Sequence, residues 1–146
     1  AMLHDAAKKT DVKTAFEWGF RAPDEDFNKY KNVRHQAIGA YVAEKRFGIS
    51  DEDILNAVAY HTTGRPGMSA LEKLIYTADC IEPGRTYDGA EKLRKTAFED
   101  FESGFINCLC STYRTEMEKS GEMAAKTIEA VEYYCPGELK RRTSDT

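Results

Sequence analysis

At 146 residues, with 41% hydrophobic and 32% charged side chains, the chain has the composition of one soluble globular domain able to bury a core. A formal net charge of −4 offers no basic field to nucleic acid. No apolar run approaches the ~18 residues of a membrane-spanning helix and no signal peptide is seen, so the expected location is the cytoplasm.

The first stretch, Leu3-His4-Asp5-Ala6-Ala7-Lys8, reads as a short apolar helix. His4 and Lys8 lie four apart and share a face, while Asp5 sits about 100° round from His4. An imidazole, a carboxylate and an ammonium together suggest a metal beside a phosphate; a solvated helix end is the plainer alternative. Ala1-Met2-Leu3 already has the character of helix interior with no cap before it, so a first helix is expected upstream of the numbered sequence. Residues 14–18 suggest a short helix ended by Gly19, and residues 21–26 a loop or helix start. Trp18 and Phe20 are expected as core or loop anchors.

Residues 32–47 predict a helix with Val33, Ala37, Ala40, Tyr41 and Phe47 on its apolar face, His35 in its first turn and Gly48 as its stop. Gly39 costs ~1 kcal/mol against Ala at mid-helix, which suggests close packing or a site that needs room. Ser50 with Asp53 suggests a capping box for the next helix, whose core face would be Ile54, Leu55, Val58 and Ala59. Residues 60–67, Tyr-His-Thr-Thr-Gly-Arg-Pro-Gly, form a loop rich in chemistry-bearing side chains, which favours a functional loop.

Ser69 and Glu72 predict a second capping box, opening a helix over 70–80 with Leu71, Leu74, Ile75 and Ala78 inward. Asp79 falls in its last turn, where the dipole disfavours a carboxylate by roughly 0.3–1 kcal/mol. A nearby cation would explain that placement. After a turn at Glu82-Pro83-Gly84-Arg85, Asp88 and Glu91 open a long predicted helix to about Lys119, with Leu93, Ala97, Phe101, Phe105 and Leu109 at helical spacing. A last helix is expected over 123–134, ended by Cys135-Pro136-Gly137. No strand pattern appears, so the expected fold is all-α: one domain over 1–137, followed by a disordered polar tail over 138–146. Cys108-x-Cys110 lacks metal-site spacing, so the four cysteines are expected as free thiols.

Three imidazoles (His4, His35, His61) and two carboxylates (Asp5, Asp79) thus gather at helix ends and turns. That donor set suits iron, manganese or zinc. Lys8 and Arg65 or Arg85 would hold phosphate oxygens. Together these residues suggest metal-assisted hydrolysis of a phosphoester or phosphoanhydride.

Leu3-His4-Asp5-Ala6-Ala7-Lys8 resembles the signature of the HD-domain phosphohydrolases. The runs from Tyr60 to Met68 and from Ala78 to Arg85 resemble one branch, the symmetrical diadenosine tetraphosphatases of the YqeK type. The resemblance implies an all-α HD bundle whose metal, iron in that branch, is held by a His from an earlier helix, then the His-Asp pair, then a late Asp. The last three match His4, Asp5 and Asp79; no His precedes His4 in the numbered sequence. It further implies that Lys8, His35, His61 and Asp79 serve catalysis. Lys8, His35, His61, Thr62, Arg85 and Thr127 would contact substrate. Ala124 and Ala125 stand where the branch has His-Pro. The implied cofactor is a divalent metal, iron, manganese or another ion, with one or two ions bound. The implied reaction is cleavage of diadenosine tetraphosphate to two ADP, making these small molecules the expected partners, with no nucleic acid and no membrane; a homodimer is left open. Another nucleotide substrate, a non-catalytic nucleotide sensor and a purely structural helical adaptor are the alternatives.

Overall fold

Side-chain caps set most of the helix starts. In the computed structural model, which describes residues 2–139, the Asp11 carboxylate accepts from the Thr14 N–H to open α1 (Val12–Glu17). Asp24 opens α2 (Glu25–Lys29) in the same way. A single 3₁₀ turn (Lys31–Val33) leads into α3 (Arg34–Phe47), which ends at Gly48 in the left-handed region (φ 66°). The next helix, α4 (Glu52–Ala59), is capped by Asp51, which takes the N–H groups of Asp53 and Ile54; Ser50 does not fill that role. The expected capping box of Ser69 and Glu72 is present and opens α5 (Ala70–Cys80).

The long helix expected from residue 88 is instead two, α6 (Ala90–Glu99) and α7 (Phe101–Ser120), and α6 starts after Gly89 rather than at Asp88. Asp100 makes the break: its backbone is extended, and its carboxylate accepts from the Ser103 N–H and, at 2.6 Å, from the Ser103 hydroxyl. The apolar periodicity runs on through the break because both helices pack on the same core. Gly104 allows that packing, since a Cβ there would lie 2.4 Å from Ala97 Cα.

The last helix, α8 (Ala125–Tyr134), has no side-chain cap of its own. Asp26 supplies one from α2, accepting the N–H groups of Ala125 (2.9 Å) and Lys126 (3.2 Å). Among the described residues there is no strand, and no helix is long and apolar enough to cross a membrane. All four cysteines are free. Residues 140–146 of the expected tail lie outside the described residues. Glu138 does not fit a free tail, for its carboxylate is held by Arg114 (2.8 Å).

Two apolar clusters carry the packing. Ala7, Ala15, Phe20, Phe27, Ile38 and Val42 tie the N-terminal segments to α3. Tyr76, Leu93, Phe105, Leu109 and Val131, with their neighbours, join α5 to α8. Helix faces depart from the simple pattern where a helix is packed on more than one side. In α3 the buried residues are Gln36, Ile38, Gly39, Val42 and Ala43, and Phe47 is exposed. In α5 they are Glu72, Ile75, Tyr76 and Thr77, while Leu74 and Ala78 face out. Ile54 of α4 is also exposed. Trp18 lies partly exposed under the Arg46 guanidinium, 4.8 Å from the ring centre, whereas Phe20 is buried.

The α6–α7 crossing gives a direct test. Gly104→Ala forces backbone apart at Ala97 and is expected to cost on the order of 2 kcal/mol or more, read as a lower urea midpoint.

Candidate metal centre and cleft

The stretch from Leu3 to Lys8 is not an α-helix. It is a run of tight turns closed by bonds from Ala6 N–H to Leu3 C=O (3.1 Å) and from Lys8 N–H to Asp5 C=O (3.0 Å). Three-residue closure winds the chain more tightly than an α-turn would. Ala7, 1% exposed, pins the run into the N-terminal core. Gly39 makes room for it: a Cβ there would lie 3.2 Å from Val58 Cγ1 and 3.5 Å from the His4 carbonyl oxygen. The mid-helix glycine of α3 therefore lets residues 4–7 and α4 approach the same spot.

At that spot the expected site residues meet. His61 Nε2 and His35 Nε2 stand 2.9 Å apart. Asp5 Oδ1 lies 3.5 Å from His35 Nε2 and 3.6 Å from His61 Nε2. His4 Nε2 lies 3.8 Å from Asp5 Oδ2 and 3.7 Å from Asp79 Oδ1. Lys8 Nζ donates to Asp5 Oδ2 at 2.6 Å. One ligand atom each from His4, Asp5 and His61 falls within 4.8 Å of the other two. His61, expected on the catalytic and substrate side, thus stands closer in this group than the expected ligand Asp79, which borders it through His4.

The protonation states follow from the surroundings. His61 Nδ1 is 2.7 Å from the Val58 carbonyl oxygen, so Nδ1 carries the hydrogen and the Nε2 lone pair faces the cluster. Burial pushes the His61 imidazole down to about 4, with the nearby His35 and His4 adding to the fall, so it is neutral at pH 7. His35 is lowered as well, first by burial, although Asp5 opposes this. Burial works to raise the Asp5 carboxyl, but the hydrogen bond and charge of Lys8, with His4 and His35, outweigh it and hold it below its usual value. Neutral imidazole and ionised carboxylate are the forms that bind a metal. The donor set, all nitrogen and oxygen, therefore fits a divalent cation.

From this cluster a cleft of about 1030 Å³ runs outward. His61, Thr62, Asp79, Arg85 and Thr127 all line it, as does Lys31. Arg85 is placed for this by two contacts, NH2 to Asp79 Oδ1 (3.2 Å) and Nε to the Asp79 carbonyl (3.3 Å). Arg94 of α6 fixes the turn beneath it, donating to the carbonyls of Ile81 and Glu82, both at 2.9 Å. Arg65 is not a phosphate ligand in this arrangement. Its guanidinium is committed to Glu72 through bonds of 2.7 and 3.0 Å and covers the Tyr60 ring. Glu72 was legible only as half of a capping box, and Arg94 gave no local signal.

Residues 1–84 match the HD-domain family model. The chain belongs to the HD-domain family. It is similar to the symmetrical bis(5'-nucleosyl)-tetraphosphatase of Bacillus subtilis, 38% identical over 123 residues, covering 82% of this chain and 66% of that protein. It is similar also to the enzyme of the same name from Halalkalibacterium halodurans, 37% identical over 132 residues and covering 88% and 70%. The chain thus spans about two thirds of the length of these relatives. A solved structure, described as a predicted HD superfamily hydrolase involved in NAD metabolism from Clostridium acetobutylicum, is 40% identical with a TM-score of 0.78, covering 95% of this chain and 73% of that one. The HD domain implies a divalent metal, and the His4, Asp5 and His61 group offers ligands for one.

The buried imidazole gives this HD protein a pH signature. His61 titrates at about 4 in the folded chain and near 6.5 when unfolded, so between those values the unfolded state binds the extra proton. Above pH 6.5 the group contributes nothing; as pH falls toward 4 it destabilises by up to about 3 kcal/mol. Urea unfolding of metal-free protein is expected to show a loss of about 2 kcal/mol between pH 7 and pH 5, and His61→Gln to reduce it.

Proposed function

We propose that the chain is a metal-dependent phosphoanhydride hydrolase that cleaves diadenosine tetraphosphate symmetrically to two ADP. The observation that carries this reading is the gathering of His4, Asp5, His61 and Asp79 at the head of a cleft lined by Arg85, Thr62 and Thr127. His4, Asp5 and Asp79 would hold the metal with His61 beside them; iron is the proposed ion, with manganese able to replace it. A divalent cation bound there supplies Lewis acidity, lowering the pKa of water and polarising a phosphoryl oxygen.

The chain's own residues do the rest. Arg85 meets anionic oxygens with its guanidinium while its bond to Asp79 fixes its direction. Lys8, more than half exposed beside Asp5, brings an ammonium to the phosphates as they enter. His61 keeps its Nε2 lone pair available, as a ligand or as acceptor of the water's proton, because burial keeps the ring neutral. His35 Nε2, within 3.3 Å of the Thr62 hydroxyl, joins that hydroxyl at the phosphate side. Thr127, 3% exposed in the first turn of α8, presents the cleft's far side to the nucleoside. Breaking the bridge between the second and third phosphates leaves a nucleoside diphosphate on each side.

A second reading, a nucleotide sensor without turnover, is favoured by Ala124 and Ala125, which leave Thr127 as the polar side chain that α8 brings to the cleft. The assay separates the two. Protein supplied with Fe²⁺ or Mn²⁺ is expected to give ADP as the one product of diadenosine tetraphosphate. Asp79→Ala is expected to lower kcat on the order of 100-fold or more. ATP plus AMP as products, or full activity in Asp79→Ala, would refute the hydrolase reading. Tight ADP binding with no turnover would establish the sensor.

A further inference from the structure

Beside the cluster, on α3, one buried side chain belongs neither to the metal group nor to the cleft wall. Gln36 is 7% exposed and uses its whole carboxamide on the loop that carries His61. Its Oε1 accepts from the backbone N–H of Thr62 (3.0 Å) and of Thr63 (3.2 Å). Its Nε2 donates to Thr63 Oγ1 (3.1 Å), whose own hydrogen goes to the Gly64 carbonyl (2.9 Å). The orientation of the amide is dictated, because two backbone donors need an oxygen facing them. Gln36 follows His35, so consecutive residues of α3 grip consecutive residues of the loop: His35 meets His61 and Thr62, and Gln36 meets Thr62 and Thr63.

We propose that Gln36 is a positioning residue: its side chain replaces the missing helical partners of the Thr62 and Thr63 N–H groups and so fixes where His61 Nε2 and the Thr62 hydroxyl point. The loop leaves α4 at Tyr60 and is closed by the Gly64 N–H on the Tyr60 carbonyl (2.8 Å), while the Thr62 and Thr63 N–H groups have no acceptor besides Gln36 among the hydrogen bonds of the described residues. Without Gln36 two adjacent N–H groups in a buried loop are left unpaired, and the loop is released to seek water. His61 and Thr62 then lose their fixed distance to His35 and Asp5. A displacement of about 1 Å is enough to cost a large factor in rate.

The functional arm rests on the hydrolase reading; two other arms do not. Gln36→Met removes acceptor and donor at similar length. Gln36→Glu keeps an acceptor oxygen for both N–H groups. In Gln36→Met, amide exchange at Thr62 and Thr63 should quicken at least tenfold while Ile75 and Tyr76 of α5 stay protected. Mn²⁺ affinity by calorimetry should fall about tenfold, and kcat for diadenosine tetraphosphate should fall at least tenfold with a smaller change in KM. Gln36→Glu should recover most of each loss. Unchanged exchange at Thr62 and Thr63 in folded Gln36→Met, or equal impairment of the Met and Glu variants, overturns the proposal. If wild-type protein binds Mn²⁺ but turns nothing over, the hydrolase reading fails, and exchange and Mn²⁺ affinity still decide the role of Gln36.

Discussion

Two imidazole nitrogens held 2.9 Å apart, with a carboxylate oxygen about 3.5 Å from each, are the point on which the rest of the structure converges. The His61 lone pair is fixed toward that point by the bond from Nδ1 to the Val58 carbonyl. That lone pair is open to a hydrogen donor such as His35 Nε2 or to a cation, and burial opposes protonation of the His61 ring itself. What the arrangement accommodates best is positive charge from outside the side-chain set. Lys8 shows the same demand on the solvent side, where it neutralises Asp5 at 2.6 Å.

Holding such a cluster together takes support from every part of the fold. Gly39 allows residues 4–7, α3 and α4 to converge. Glu72 binds Arg65 and the Ser69 N–H, closing the loop after His61 onto the start of α5. Arg94 of α6 holds the turn from which Arg85 reaches Asp79. Each support is a hydrogen bond or a close contact between neighbouring segments of the fold. The apolar clusters supply the free energy that keeps those segments in register.

Local chemistry was legible where it acts locally. The capping box at Ser69 and Glu72, the stop at Gly48 and the run from Ala70 to Cys80 could be read because cap, periodicity and breaker agree. The break at Asp100 was hidden, since Leu93, Ala97, Phe101, Phe105 and Leu109 keep helical spacing through it. Residues 3–8 misled for a related reason: side chains three apart share a side in tight turns as they do in a helix. In the site, the residue types and the family resemblance picked out His4, Asp5, His35, His61 and Asp79, which the fold brings together. Arg65 could not be separated from Arg85 as a phosphate ligand, because its Glu72 partner depends on how the loop folds back. Gln36 left no trace, for an amide on a helix has no local signature of what it will bind.

The bond between Asp26 and the start of α8 joins residues 99 apart in the chain. At ribosomal elongation rates of ~5–20 residues per second, the Asp26 carboxylate emerges on the order of 5–20 s before the helix whose N–H groups it accepts exists. The wall of the cleft that bears Thr127 is therefore the last part to be completed during synthesis. A nascent chain would carry the imidazole cluster, already translated, for that whole interval before the wall bearing Thr127 was in place.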